Sequence, residues 1–125
     1  IAGISLIVGG IGIMNAMVTS VMERTKEIGL YKAIGASNTK VLTIFLLEAA
    51  FIGLIGGIIG ILIGLGLASL IAIVGSVLNY ALVAVVTPEI VLGGLGFSII
   101  IGMVSGFYPA LRASRLDPVE ALRYE

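Results

Sequence analysis

The chain has 125 residues, of which 59% are hydrophobic and only 11% are charged. Soluble domains carry about 25% charged residues, so this composition excludes an ordinary water-soluble domain and makes lipid the main solvent. Seven basic residues balance seven acidic ones, and there is no Cys and no His. The charge therefore gives no reason to expect nucleic-acid binding, and disulfides, thiolate chemistry and the commonest metal ligand are all excluded.

Three apolar segments are long enough to cross a bilayer: residues 1–22, about 41–74 and about 90–111. At about 1.5 Å per residue, a helix of each length spans the roughly 30 Å of a bilayer core. Lipid offers no water to backbone N–H and C=O groups, so these segments must be helical. The sequence predicts an all-α membrane protein, a single domain over residues 1–125. Because the first residue already lies in an apolar run, we expect a fragment of a longer protein.

A charged stretch, Glu23 to Lys40, separates the first two spans and must lie in water. Ile28, Tyr31 and Ile34 recur at three-residue intervals beside Leu30, which predicts a short helix with an apolar arc. The charged residues of this helix are Glu23, Arg24, Lys26, Glu27 and Lys32. Lys26 and Lys32 lie away from the arc, whereas Glu27 falls inside it.

Turn and capping residues mark the other helix ends. Gly35 is expected to end the short helix, and Ser37 or Asn38 to cap the second span. A linker at residues 75–86 includes ALVAVV, which favours an extended backbone, before Thr87-Pro88-Glu89 starts the third span. Pro109 is expected to end or kink that span. Asp117 and Pro118 then predict a short C-terminal helix, to about Tyr124.

Small residues at four-residue spacing indicate helix packing in the membrane. In the second span the pairs are Gly53/Gly57, Gly56/Gly60 and Gly60/Gly64. In the third span the stripe is Ser98, Gly102, Gly106 and Ala110. Glycine is common in membrane helices, but overlapping pairs favour a face that packs against another helix.

Glu48 is the one ionisable residue well inside an apolar run. It lies about 12 Å along a helix from Lys40, near the membrane boundary. Three interpretations stay open: a carboxylate at the interface, an ion pair with Arg24 or Arg112, or part of a proton or ion relay. Arg112 and Arg115 are simplest as interface charges that fix topology.

Long motifs at both ends of the chain resemble one family. They are VGGIGIMNAMVTSVMERTKEIGLYKAIGAS (Val8 to Ser37), LLEA (Leu46 to Ala49) and YPALRASRLDPVEALRYE (Tyr108 to Glu125). The chain resembles the C-terminal membrane domain of FtsX/MacB-like ABC transporter permeases, with the last three of four transmembrane helices. The resemblance implies that the first helix, an extracytoplasmic domain and the ATPase lie elsewhere.

In this family, the loop after the first of these spans carries a coupling helix that docks on a cytoplasmic ABC ATPase. By position, the resemblance places that helix at Glu23 to Gly35. It also implies a dimer of permeases, ATP and Mg bound by the ATPase rather than by this domain, and motion transmitted to extracytoplasmic domains or partners. Substrates in the family include antibiotics, peptides and lipoproteins, while some members regulate cell-wall hydrolases.

The leading hypothesis is therefore a permease domain for ATP-driven efflux or export in the cell (inner or plasma) membrane. The alternative is a transmitter that regulates an extracytoplasmic hydrolase without transport. A fragment of an ion-coupled transporter is a weaker option, since it calls for more intramembrane charge. No catalytic constellation is visible: residues 29–37 lack the spacing and the Lys of a phosphate-binding loop.

Basic residues predict the topology. The first loop carries Arg24, Lys26, Lys32 and Lys40, and the tail carries Arg112, Arg115 and Arg123. By the positive-inside rule both are cytoplasmic, so the second loop and the N-terminus of this chain lie outside. A single Cys at Asn79 is expected to react with an impermeant maleimide on intact cells, and a Cys at Asn38 only after permeabilisation. Labelling of Asn79→Cys from the cytoplasm alone would contradict this arrangement.

Overall fold

The computed structural model describes residues 1–78 and 86–123, and every regular element in these two stretches is an α-helix. In chain order they are α1 (Ala2–Glu23), α2 (Thr25–Ala33), α3 (Asn38–Val77), α4 (Pro88–Ser114) and α5 (Pro118–Arg123). The all-α class is confirmed, and α1, α3 and α4 are each long and apolar enough to cross a membrane. Asn79, Tyr124 and residues 81–85 of the segment expected to be extended lie outside the described residues.

Several helices begin at the predicted capping residues. The Ser37 hydroxyl accepts a hydrogen bond from the Lys40 amide at 3.3 Å and opens α3. An Asp117 carboxylate oxygen accepts one from the Val119 amide at 2.8 Å and opens α5. Pro88 is the first residue of α4. The Ser37 and Asp117 side chains satisfy amides that have no partner inside the helix, whereas the Thr87 side chain before α4 makes no such bond. Pro88 suits the first turn of α4 because it has no N–H to satisfy.

Pro109 does not end α4, contrary to one of the two outcomes expected from the sequence. The helix continues through it to Ser114, three residues beyond the predicted span. A proline inside a helix removes one N–H donor and crowds the carbonyl one turn earlier, which usually kinks or ends the helix. The Pro109 ring is fully buried between neighbouring helices, so packing holds this part of α4 together.

α4 lies at the centre, packed along α3 on one side and against α1 on the other. In the α3–α4 contact, backbone atoms of one helix pack directly against backbone atoms of the other. A Cβ added to Gly102 would lie 2.6 Å from the Ala49 carbonyl oxygen and 3.0 Å from the Gly53 Cα, and one added to Gly53 would collide with the Ser98 carbonyl oxygen. Any side chain at these glycines would have to push the two helices apart.

The remaining glycines of the predicted packing face divide into two groups. Gly57 lies against the Ser98 side chain and Gly106 against Ala49, so both belong to the α3–α4 contact. Gly56, Gly60 and Gly64 have open space where a side chain would go. Beyond Gly57 the approach is looser: a Cβ added to Gly94 would lie 3.8 Å from the Ile61 side chain, at ordinary van der Waals contact. Packing of the three open glycines against a further helix stays a prediction.

The buried apolar side chains gather at one end of the molecule, which we call the α2/α5 end. They come from all five helices: Met17, Val21, Ile28, Val41, Phe45, Ala49, Ala110, Ala113 and Ala121. Beyond Gly53, by contrast, α3 buries only Gly75 among its described residues. At about 1.5 Å per residue, the 40 residues of α3 reach about 60 Å, so this helix must tilt or extend past a bilayer core.

The glycine contact predicts a position-dependent effect of leucine substitution. Gly102→Leu is expected to lower the free energy of unfolding by about 1–3 kcal/mol, because the added side chain overpacks the α3–α4 contact. Gly60→Leu meets open space and serves as the matched control, with an unchanged melting temperature in detergent. Equal destabilisation by both variants would contradict the described contact. A lower dimer fraction in Gly60→Leu alone would place a second copy on the open glycines.

Candidate functional site

α2 is a nine-residue helix fixed at both ends. At its start, the Thr25 hydroxyl donates to the Val21 and Met22 carbonyl oxygens of α1 at 2.9 and 3.0 Å. At its end, Gly35 takes a φ of +100°, which favours glycine. The chain reversal after α2 is therefore a tight one, with little slack between α2 and α3.

The C-terminal turn of α2 has the hydrogen bonds of a Schellman motif. The Gly35 amide donates to the Lys32 carbonyl at 3.1 Å, and the Ala36 amide to the Tyr31 carbonyl at 2.9 Å. These bonds satisfy carbonyls that the helix itself leaves without a partner. The predicted helix stop at Gly35 is confirmed.

The inner face of α2 packs on α5 and the core. Ile28 is only 3% exposed, and Gly29 is buried. A Cβ added to Gly29 would lie 2.7 Å from the Ala121 Cβ and 3.5 Å from the Pro118 carbonyl oxygen. α2 is thus held closely against α5, far along the chain, and does not lie alone in a loop.

Lys32 also faces inward, toward the C-terminal end of α4. Its Nζ donates to the Ser114 carbonyl oxygen at 2.9 Å and to the Leu116 carbonyl oxygen at 2.6 Å. The final carbonyls of a helix lack intrahelical partners and carry partial negative charge, so an ammonium group is favourable there. Lys32 therefore caps α4 from a helix more than 80 residues away.

The outer face of α2 carries the other predicted coupling residues. Leu30, Tyr31 and Ile34 are 55%, 49% and 77% exposed. The charged residues Glu23, Arg24, Lys26 and Glu27 are exposed as well. Two expectations need correction: Ile28 belongs to the core and is not available as an exposed apolar anchor, and Lys32 is engaged with α4.

A pocket of about 140 Å³ opens beside this outer face, between α2 and the start of α3. Ile28, Val41, Ile44 and Phe45 supply its apolar wall, and Tyr31 borders it. The charged residues Arg24, Glu27 and Lys40 also line it. An apolar recess with both signs of charge around it suits a side chain of a partner protein better than an ion.

Glu48 joins α3 to the α1–α2 junction. Its carboxylate lies 3.7 Å from the Arg24 guanidinium and accepts a hydrogen bond from the Ser20 hydroxyl at 3.4 Å. Arg24 also pairs with Glu27 at 3.2 Å. Of the interpretations left open by the sequence, the structure favours the ion pair with Arg24. Both side chains are partly exposed, at 44% and 35%, so the pair itself adds little stability.

The arginines of the α4 end lie away from Glu48. Arg112 is exposed and lines a separate pocket of about 260 Å³ among α1, α4 and α5, near Glu120 and Ala121. Arg115 follows the last residue of α4 and is exposed. Within the described residues, no group of three or more acidic side chains is placed to hold a metal ion.

Comparison with known proteins identifies the family of this chain. The model of the FtsX-like permease C-terminal family matches residues 1–118. The chain belongs to the FtsX-like permease family. It is 49% identical to an uncharacterized ABC transporter permease, YknZ, of Bacillus subtilis, covering all of this chain and 30% of that protein. It is 53% identical to a macrolide export ATP-binding/permease protein, MacB, of Bdellovibrio bacteriovorus, covering all of this chain and 18% of that protein.

A similar relation extends to an archaeon. The FtsX-like domain is 44% identical to an uncharacterized ABC transporter permease, MJ1507, of Methanocaldococcus jannaschii, covering the whole chain and 32% of that protein. The chain thus spans about a third or less of the length of these relatives. Members of this family are membrane permeases of ABC transporters, and the three apolar helices described above fit such a protein.

Sequence reasoning missed the contact between α2 and the α4–α5 region of the FtsX-like domain. Gly29 gave a signal, since a glycine inside a helix often marks a close approach by another backbone. Lys32 follows Gly29 by three residues and Ile28 by four, so it lies on their face of the helix. Spacing alone does not separate this face from the exposed one, because Tyr31 also follows Ile28 by three residues, and it does not reveal which element covers the inner face.

Substitution of Glu48 discriminates among its possible roles. Gln keeps the shape and can still accept the Ser20 hydrogen bond, so Glu48→Gln is expected to change the free energy of unfolding by less than about 1 kcal/mol. The activity of the full-length protein should persist. A relay would instead lose its proton or ion carrier. Full loss of activity with an unchanged melting temperature would therefore contradict the structural role and support the relay.

Proposed function

We propose that this domain is the part of an ABC exporter that receives force from a cytoplasmic ATPase at α2 and passes it to the membrane helices. The observation that carries the proposal is the exposed face of α2, presented on a helix that is fixed at both ends and backed by α5. Leu30, Tyr31 and Ile34 offer apolar anchors, and the charges around them can set the register of a partner.

A protein partner fits this face better than lipid headgroups do. Lipid attraction favours runs of Lys and Arg, whereas here Lys26 and Glu27 adjoin and Arg24 pairs with Glu27 at 3.2 Å. The pocket beside Tyr31 gives a partner side chain a place to insert. In protein interfaces a few buried apolar or aromatic anchors dominate the affinity, which matches this arrangement.

The proposed protein lies in the cell membrane, which is the inner or plasma membrane. Its α2/α5 end is in the cytoplasm, and the N-terminus of this chain is on the extracytoplasmic side. The basic residues of the first loop and of the tail support this topology. Contact between α2 and α5 adds support from the fold, because it requires these two basic segments to lie on the same side of the membrane.

ATP and Mg are proposed to bind to the ATPase, separate or fused, and this domain is proposed to carry no enzymatic activity. The sequence has no His, no Cys and no phosphate-binding loop. The relatives support both arrangements by name: YknZ is called a permease, and MacB an ATP-binding/permease protein. Because the whole domain matches both a permease and an ATP-binding/permease protein, the same domain can serve a separate ATPase or a fused one.

The proposed transporter is a dimer of permeases that exports an antibiotic, a peptide or a lipoprotein with an extracytoplasmic partner. Export is supported by the name of the relative MacB, a macrolide export ATP-binding/permease protein that is 53% identical to this chain. Dimer formation is supported by the open glycines Gly56, Gly60 and Gly64, which allow close approach by another helix.

Docking on α2 predicts a separation between anchor and control substitutions. Tyr31→Ala and Ile34→Asp, in the complete transporter, are expected to weaken ATPase association by over about 1 kcal/mol, because each removes an exposed anchor. Val119→Asp alters an equally exposed apolar residue on α5 and is the matched control. Ile28→Asp is unsuitable, since it would place a charge in the core.

The measurement is ATPase binding or, for a fused ATPase, the hydrolysis rate that depends on the membrane domain. Membrane insertion is expected to be normal for all three variants, because none lies in a span. If Tyr31→Ala and Ile34→Asp bind the ATPase as tightly as Val119→Asp does, α2 is not the docking element.

A further inference from the structure

We infer that Lys32 is a positioning residue that passes the movement of α2 directly to α4. This inference rests on the proposed role of α2 in receiving force from the ATPase. Movement of α2 already reaches α1 and α3 through the chain, because α2 is joined covalently to both. Lys32 adds a non-covalent route from α2 to α4. In this arrangement, loss of Lys32 reduces the movement that α4 receives from α2 while α1 and α3 still follow.

Lys32 holds α2 to the end of α4 through two hydrogen bonds. A half-buried ammonium group donates to two carbonyls, Ser114 at 2.9 Å and Leu116 at 2.6 Å. The first belongs to the last residue of α4, and the second lies two residues later. A charged donor on carbonyls with no helical partner makes a stronger hydrogen bond than a neutral donor does. The contact therefore resists separation of α2 from the end of α4.

Steric contact reinforces the same junction. Gly29, one turn before Lys32, meets α5 so closely that a Cβ would lie 2.7 Å from the Ala121 Cβ. α5 begins four residues after α4 ends, so it moves with the end of α4. When α2 is pushed toward α5, Gly29 transmits the push, and when α2 is pulled away, the Lys32 bonds transmit the pull.

The chain offers no short covalent path for this movement. Lys32 is separated from Ser114 by 82 residues, whereas α2 adjoins α1 at Arg24 and α3 at the Gly35 turn. α4 also contacts α3 along the glycine contact and packs on α1. These are the competing routes, and the experiment must separate them from the one through Lys32.

The test reads the far ends of α3 and α4 in the complete transporter with its ATPase, on a background without other cysteines. Single cysteines replace Val77, the last residue of α3, and Glu89, the second residue of α4; both side chains are exposed and lie outside the predicted spans. Each is labelled with a water-soluble maleimide without nucleotide and after trapping with ATP, Mg and vanadate. The ratio of the two labelling rates reports the nucleotide response of each helix.

Lys32→Met keeps the length of the side chain and removes its donors. It is expected to leave the Val77 ratio unchanged and to move the Glu89 ratio at least halfway toward 1, because the Gly29 contact still transmits part of the movement. ATPase association is expected to be retained. Lys32→Arg keeps a cationic donor and is expected to preserve both ratios. Arg115→Met removes an exposed cation beside the same end of α4 and outside the docking face, and both ratios should again stay as in the unsubstituted protein.

An unchanged Glu89 ratio in Lys32→Met would overturn the inference, because α4 would then follow α1, α3 or the Gly29 contact without Lys32. Loss of both ratios or of ATPase association would also overturn it, because Lys32 would then support docking rather than transmission. If Lys32→Met does not fold, Lys32→Gln, which is shorter and uncharged, is judged by the same criteria. If neither site responds to nucleotide in the unsubstituted transporter, the proposed function itself is overturned. This result distinguishes failure of the proposed function from failure of the inference about Lys32.

Discussion

The α3–α4 contact is the constraint on which the other packing depends. Gly53 and Gly102 bring the two backbones together. A Cβ added to Gly102 would lie only 2.6 Å from the Ala49 carbonyl oxygen. Helices can come this close in lipid only where side chains are absent, and dispersion between backbones then stabilises the pair. The contact places α4 at the centre, where α1 packs on its other side.

The α2/α5 end combines this membrane packing with polar contacts of a kind expected near water. Lys32 caps α4, Ser20 and Arg24 meet Glu48, and Asp117 starts α5. Nearly the whole buried core lies at this end. A surface that is to receive force needs such backing, since a helix in a loose loop would absorb the displacement by bending its connections. The fixed inner face is what makes the outer face of α2 a credible docking element.

The relatives bear on how general this arrangement is. Proteins named as permeases and proteins named as ATP-binding/permeases both contain a segment related to this chain over its full length, although it makes up about a third or less of each. Identities of 44% to 53% across a bacterial and an archaeal source imply a common fold for the segment. The proposed transmission from α2 to the membrane helices is a task that such a shared segment can perform for different exporters.

Much of this protein was determined by its sequence alone. Composition and segment length made it a membrane protein with three spans, because an apolar backbone in lipid must satisfy its own hydrogen bonds. Local chemistry set helix ends at Gly35, Ser37 and Asp117, where one residue and its neighbours suffice to supply the caps. Long motifs at both ends indicated the family, which the match over residues 1–118 confirmed.

Contacts between distant residues were decided only by the tertiary structure. The sequence placed Ile28 and Lys32 in one charged stretch with Tyr31, and packing on α5 and α4 then divided them into a buried face and an exposed one. Four-residue spacing identified candidate glycines but did not separate Gly53 from Gly60. Spacing records the face of one helix, whereas burial depends on where a second helix crosses it, and that crossing is set by the whole set of interhelical contacts.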